Sequence, residues 1–524
     1  MDSVRKPSFN HPADNRSRVE EALPEGGEAA SSGALAGAAG AGERETSSNI
    51  FLGILKRATY ASTGTIASRV ATAITGILIA RAVGPGPFGV YVSVFALVTV
   101  AVAFTETGLT YGLVREGART PRLLPILLGN VLAVKSVLGI LLLTGAYFLM
   151  PFFIPPSPDA GVMHVSELIF LPLAMASFAN LCSDTVIAAL HVEGKQKVVS
   201  YFNIARGLLF LAGTVAIMAA RGGIEAFAWY QGILYLTSLI AMFFTLLSVV
   251  SISLDLSRIG RQVKDSFVFG ISILLYIIYT ETPILMLSRY SPEEDVGHFA
   301  VAFRFIYLAL LAGTTAANQA FLPTLFGLFK AHSGKFRQVC SSMQSLFLPA
   351  GMVIGLGMYV SAESLIILLQ GEQYRPAVEI MRTLCWIVVF SYGTLPVDVA
   401  LTAGDRMFVK NLMQFFVTLI MVTVGFFMIK SNGVVGISYA MLLVNFCNFL
   451  FFVLYAYKNE MYGFTSSIRM LVPAALTITA GLAVIQILPQ HNFISIFLFL
   501  LASLAIWSRA LLRFAHYARS NASS

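Results

Sequence analysis

Between its polar breaks the chain is a succession of apolar runs, each close to the roughly 20 residues that a helix needs to cross a hydrocarbon core about 30 Å thick. The two-residue alternation of barrel strands is absent, so the runs read as helices whose backbone hydrogen bonds close internally. Fourteen such spans are predicted, at 58–82, 88–113, 123–150, 166–190, 199–220, 225–250, 265–289, 294–319, 342–362, 376–401, 411–430, 434–456, 467–488 and 492–508. The fold class expected is therefore an all-α polytopic membrane protein of about 14 transmembrane helices.

The polar breaks give the orientation. With the N-terminal tail in the cytoplasm, 18 Lys and Arg fall on that side, among them Arg115, Lys195, Arg258, Lys335 and Arg406. Only five, Arg81, Arg221, Arg289, Arg375 and Lys430, fall on the other. Positive charge collects on cytoplasmic loops, so both termini are expected to be cytoplasmic. Tyr91, Tyr111, Trp229, Tyr235, Trp386 and Trp507 lie near span ends, as an interfacial aromatic belt would.

Composition agrees. Hydrophobic residues make up 57% of the 524 and charged residues 12%, against about 25% charged in soluble domains. The net charge of +8 is then a matter of topology, and no nucleic-acid partner is expected. Cys182, Cys340, Cys385 and Cys447 form no CxxC pair and no His-x-x-x-His exists, so neither a metal, a cofactor nor a disulfide framework is expected. Residues 1–47 are polar, with an Ala/Gly/Ser tract, and read as a disordered cytoplasmic tail. The largest extracytoplasmic break, PPSPDAGVMHVSE, is too short for a domain, and no DxD motif is present, which argues against a polymerase or glycosyltransferase and for a protein that is not an enzyme.

One turn occurs twice. RAVGPGPFGVYVSVF, from Arg81, aligns without a gap with RYSPEEDVGHFAVAF, from Arg289, at an offset of 208. A weaker echo pairs AALHVEGKQKVV at 188–199 with VALTAGDRMFVK at 399–410. The division expected is an N-lobe at 54–250, a cytoplasmic linker at 251–264, a C-lobe at 265–457, two further helices within 466–515, and a cytoplasmic tail at 516–524. Parallel repeats of six spans are related by an axis along the membrane normal, with a substrate path between them. The repeated turns are expected to be the extracytoplasmic corners joining the first two helices of each lobe.

Charges within the spans are the candidate chemistry, because each costs about 2.5–3.5 kcal/mol near a bilayer centre and is retained for a partner or a use. Arg69 and Arg304 stand about ten residues into their spans, and Lys135 is similarly deep, whereas Arg206 and Arg382 sit about two turns from a face. Arg69, Lys135, Arg304 and Arg382 are the candidates for holding an anion, since guanidinium grips phosphate oxygens bidentately. Glu106, Glu281 and Asp398 are candidates for ion coupling or for charge pairing; Asp184, near a cytoplasmic end, reads as a cap or a partner for loop cations. Pro283, two residues beyond Glu281, is expected to kink its helix.

The segment ILIARAVGPGPFGVYVSVFALVTVAVAFTETGLTYGLVREGAR resembles the N-terminal signature of polysaccharide exporters. These are the Wzx-type lipid-linked oligosaccharide flippases of the multidrug/oligosaccharidyl-lipid/polysaccharide exporter superfamily. Gly84, Pro85, Phe88, Gly89, Tyr91, Gly108, Leu109, Arg115 and Glu116 carry the resemblance, with VGHFAVAFRFIYLA and LLQGEQYRPA further on. The resemblance, over roughly residues 54–457, implies two six-helix bundles that pass an undecaprenyl-diphosphate-linked oligosaccharide from the inner to the outer leaflet of the cell inner membrane by alternating access. It also implies membrane lipids, a polysaccharide polymerase and export machinery as partners in exopolysaccharide or lipopolysaccharide synthesis. Two other readings fit the same scaffold. A cation-coupled multidrug or metabolite antiporter would rely on the acidic residues, and a lipid-linked peptidoglycan-precursor flippase would also have 14 helices.

Overall fold

The computed structural model describes residues 64, 67–106, 108–155, 161–322, 325–326, 333–404, 406–459 and 506. The tails expected at 1–47 and 516–524, the span at 467–488 and, apart from residue 506, the span at 492–508 lie outside the described residues. Among the described residues there is no strand. In chain order the helices are α1 (67–83), α2 (Pro85–Ala103), α3 (Leu109–Arg119), α4 (Leu124–Phe153), α5 (Gly161–Val192), α6 (Gln196–Ala219), α7 (Ile224–Leu247), α8 (Leu256–Tyr290), α9 (Glu293–Ala320), α10 (Ser333–Gln370) and α11 (Ala377–Ala403). The segment Met407–Lys458 leaves helical geometry at Gly433 (φ 55°, ψ −133°), which makes it two helices, α12 before the glycine and α13 after it.

Where described, the spans expected from 58–82 to 434–456 are helical apart from their ends and the break after Ala103, and the chain is a multi-pass membrane protein. Among the described residues ten helices, with Met407–Lys458 taken as one, are long and apolar enough to cross a bilayer. Exposed Phe148, Phe244, Phe408 and Phe427 cover their outer faces with apolar surface that only lipid solvates without cost. Two expectations change. The span at 88–113 stops at Ala103: the polar run Thr105–Glu106 forms a turn, and Gly108 (φ 78°, left-handed) starts the short α3. That helix is amphipathic, with Leu109, Leu113 and Gly117 buried and Tyr111, Val114, Arg115 and Arg119 exposed. The linker at 251–264 is extended only to Asp255, whose carboxylate accepts the Ser257 amide at 3.1 Å and caps α8. Pro283 lies inside α8, and the Thr280 and Thr282 hydroxyls beside it bond carbonyls one turn back, at 3.1 and 2.6 Å.

The repeated turn fixes how the two halves of the chain meet. Gly84 (φ 84°) turns the chain, and Pro85, which needs no hydrogen-bonded N–H, opens α2. In the second copy Pro292 precedes α9, whose first turn carries Glu293, Glu294 and Asp295 against the positive end of its dipole. The two helices then pack on each other with their motif glycines at the contact. A Cβ on Gly89 would collide with the Glu293 carbonyl, and one on Gly297 with the Pro85 carbonyl. Since 293 and 297 are 85 and 89 shifted by 208, the contact is reciprocal, as in a two-fold interface.

Apolar packing differs between the two ends of the bundle. One cluster joins Ile79, Phe88 and Val94 of the first half with Leu287, Phe299, Tyr374 and Met381 of the second. The other two clusters stay within one half each: Leu113, Leu128, Leu190 and Leu246 in the first, Val397, Leu401 and Phe452 in the second. They lie towards the turns that carry Arg122, Lys195, Arg406 and Lys458. The halves therefore share one apolar core at the Arg81 end and separate into two cores at the basic-loop end, where the start of α8 bridges them and Gln262 donates to the Leu127 carbonyl at 3.4 Å.

Candidate functional site

Into that separation opens a cavity of about 660 Å³ bounded by α1, α2, α5, α6, α8 and α9. It reaches from Glu281, in the last third of α8, and Arg304, midway along α9, to His191 beside the Lys195 turn. Arg69, Arg206, Arg304, Asp184 and Glu281 line it, with Asn180, Asn203, Tyr276 and Tyr307. The Arg304 guanidinium lies over the Phe88 ring, 5.3 Å from its centroid, and against Gly76, where a side chain would occupy the same space. Its Nη1 is buried and has no hydrogen-bond partner. Arg206 stacks 4.9 Å from the Tyr235 ring centroid, and Arg69 and Asp184 are exposed to the cavity.

Among the described residues, no ion pair or side-chain hydrogen bond engages any of these three guanidiniums, and none engages the Asp184 or Glu281 carboxylate. An internal salt bridge between an Arg and Glu281, the plainest structural use for such charges, is not made. Buried polar groups are almost always satisfied, and a buried cation without a partner is costly. Of the three guanidiniums only that of Arg304 is buried; Arg69 and Arg206 face the cavity in the field of the Asp184 carboxylate.

The other predicted residues lie elsewhere. Lys135 is fully buried and bound to Glu106, with Thr110 Oγ1 at 2.7 Å. The pair ties α4 to the break between α2 and α3, so Lys135 is a structural cation and Glu106 its counter-charge. Arg382 pairs with Glu379 at 2.6 Å and Glu363 at 3.7 Å, near the α10–α11 turn and away from the cavity. Asp398 binds Lys410 at 2.8 Å. Sequence reasoning set Asp184 aside as a helix-end charge and Arg206 as a residue near a face, yet both line the cavity. The signal was available: Asn180, Asp184, Ile187 and His191 recur at helical spacing on one stripe of α5. Nor do Tyr91 and Tyr235 belong to an interfacial belt, since Tyr91 is buried with its hydroxyl donating to Gln231 and Tyr235 lies under Arg206.

The Arg81 end is closed above the cavity. Arg81 donates to the carbonyls of Leu368 and Leu369 at 3.0 and 3.3 Å, capping the last turn of α10. Tyr374 donates to the Ala80 carbonyl at 2.9 Å, Gln373 to that of Arg81 at 3.3 Å, and His298 Nε2 lies 3.2 Å from the Gln373 carbonyl. Ser288 and Ser93 bond at 2.6 Å just inside the glycine crossing.

The same arrangement of helices is found in solved transporters. The structure of the lipid II flippase MurJ in an inward closed conformation aligns with a TM-score of 0.70 at 11% identity, over 88% of this chain and 99% of that one. An inward-facing multidrug resistance MATE family transporter of the MOP superfamily gives 0.65 at 14%, over 75% and 94%. A MOP superfamily transporter from Pyrococcus furiosus gives 0.55 at 12%, over 76% and 94%. At these identities the likeness is one of fold. Among curated proteins no sequence matches. The model of one sequence family does match, over residues 54–329 and so across the repeated turn, α1 to α9 and the arginine-lined cavity between them, and this chain belongs to that family, the polysaccharide biosynthesis proteins.

Proposed function

We propose that the protein flips a polyprenyl-diphosphate-linked oligosaccharide across the cytoplasmic membrane, for cell-surface or exopolysaccharide synthesis, by alternating access of its two halves. The observation that carries the reading is the unpaired state of Arg69, Arg206 and Arg304, with Arg304 Nη1 buried and unsatisfied. A diphosphate supplies what those groups lack: several acceptor oxygens and negative charge in a form that guanidinium binds bidentately. The asymmetry of loop charge makes the basic end cytoplasmic. The cavity then faces the side on which lipid-linked precursors are built, and the α2–α9 crossing closes the far side. Family membership supports a role in polysaccharide biosynthesis, and MurJ, similar in fold, is named for flipping a lipid-linked precursor.

The test is delivery of a lipid-diphosphate oligosaccharide to the opposite leaflet of sealed vesicles. Arg304→Ala and Arg69→Ala are compared with the parent at equal folded abundance. Strong loss in both supports the reading; full delivery by both variants overturns it. A second reading has its own observation, for Asp184 and Glu281 line the same cavity and neither forms a salt bridge among the described residues. A cation-coupled antiporter would use them. Dye efflux driven by a cation gradient, in a parent that delivers no lipid, would decide for it.

A further inference from the structure

A smaller chamber of about 220 Å³ adjoins the main cavity within the first half of the chain, and Phe95, Asn180, Asp184 and Ile277 line both. Charge divides between the two spaces. The three arginines line the main cavity only, and no Lys, Arg or His lines the chamber. Its polar surface comes from Thr99, Ser177, Asn180, Gln231 and Tyr235, and from the carboxylates of Glu106 and Asp184. Glu106 is held by Lys135 behind the wall, and Gln231 Oε1 accepts from Tyr91, which leaves its amide nitrogen as a donor. The chamber therefore offers acceptors and is walled on other sides by Phe95 and Val102; with Glu106 balanced by Lys135, it is the Asp184 carboxylate that disfavours a further negative charge. Its volume is below the roughly 300–1,000 Å³ of sites for drug-sized ligands, so it admits one ring and not a chain.

We propose that this chamber is a sugar subsite: it takes the first saccharide unit of the lipid-linked substrate, as a neutral or amino-bearing ring and not a uronic acid. A pyranose presents hydroxyls at its rim, which can donate to the carboxylates and the Asn180 oxygen and accept from the Gln231 amide nitrogen, and apolar C–H faces for Phe95 and Tyr235. Arg206, stacked on Tyr235 and lining the main cavity, stands at the junction where the diphosphate meets that first sugar. The inference rests on the flippase reading of the main cavity and adds to it a choice among glycans.

Equilibrium binding to the full chain in lipid nanodiscs tests it with three probes: a polyprenyl diphosphate without sugar, one bearing a single hexosamine, and one bearing a single hexuronic acid. The hexosamine probe is expected to bind about ten-fold tighter than the bare diphosphate, the gain from two hydrogen bonds of ordinary net strength. The hexuronic probe should show no such gain. Ser177→Leu, which fills the chamber, should bring the hexosamine-to-bare ratio to about one, and Thr99→Val, nearly isosteric, should lower it. Arg304→Ala should weaken all three probes together. A ratio that survives Ser177→Leu and Thr99→Val, or a hexuronic probe that gains as much as the hexosamine, overturns the subsite and leaves the flippase reading in place. Absence of bare-diphosphate binding by the parent overturns both.

Discussion

A single methyl group tests the closed end of the bundle. A Cβ on Gly89 would lie 2.8 Å from the carbonyl carbon of Glu293 and 3.1 Å from the Gly297 amide nitrogen; one on Gly297 would lie 3.0 Å from the Pro85 Cα. Non-bonded carbons rest at about 3.5–4.0 Å and the Glu293 carbonyl oxygen lies nearer still, so in Gly89→Ala the two helices must part by more than about 1 Å. Overpacking of this size costs about 1–3 kcal/mol. It falls only on the state in which α2 and α9 touch. The gain of about 1 kcal/mol in helix propensity for Ala over Gly is common to both states and cancels. The population open at the Arg81 end should then rise by about 5–150-fold. Ser288→Cys reports it, because its hydroxyl lies within the seal, 2.6 Å from Ser93. A membrane-impermeant thiol reagent is added on the Arg81 side, with the parent chain correcting for its own cysteines. Labelling is expected to be at least about five-fold faster when Gly89→Ala is added to Ser288→Cys than in Ser288→Cys alone. Equal rates in a variant as heat-stable as the parent would refute the claim that this crossing is the seal.

Other expectations follow from the same contacts. Replacing both Ser93 and Ser288 by Cys puts two sulfurs where hydroxyls now touch; oxidation should join them and halt delivery, with recovery on reduction, and a pair that never cross-links would contradict the packing. Lys135→Met strands Glu106 in a largely buried site and should lower stability by about 3–5 kcal/mol, most of it restored by adding Glu106→Gln; thermal unfolding in detergent reads both. Arg382→Ala, in a partly exposed cluster with Glu363 and Glu379, should cost at most about 1 kcal/mol and leave delivery near that of the parent. A transport defect as deep as that of Arg304→Ala would return Arg382 to the substrate path.

Helices could be read from the chain because lipid imposes one length and one hydrogen-bonding pattern on every span. The breaks were harder. The α2–α3 break depends on the left-handed Gly108 inside an otherwise apolar stretch. The repeat was visible as a shared Arg, Gly and Phe, but that Gly89 and Gly297 face each other is a fact of tertiary packing. For the site, depth in a span identified Arg69, Arg304 and Glu281 and equally picked out Lys135 and Glu106, which satisfy each other. Depth reports the cost of a charge; whether a neighbour or a ligand meets that cost depends on which face of the helix it occupies. Asp184 and Arg206 were passed over for that reason.

The reciprocity of the glycine crossing bears on ancestry. A half-length chain with one copy of the turn would present to its twin the same glycine, and the same carbonyl four residues earlier, in two-fold exchange. Such a chain could pair with itself through this contact, and any change there would be felt twice. Fusion into one polypeptide removes that constraint. The corners have since separated, PGPF in one and EEDV in the other, while the glycine that each helix requires of its partner stands in both.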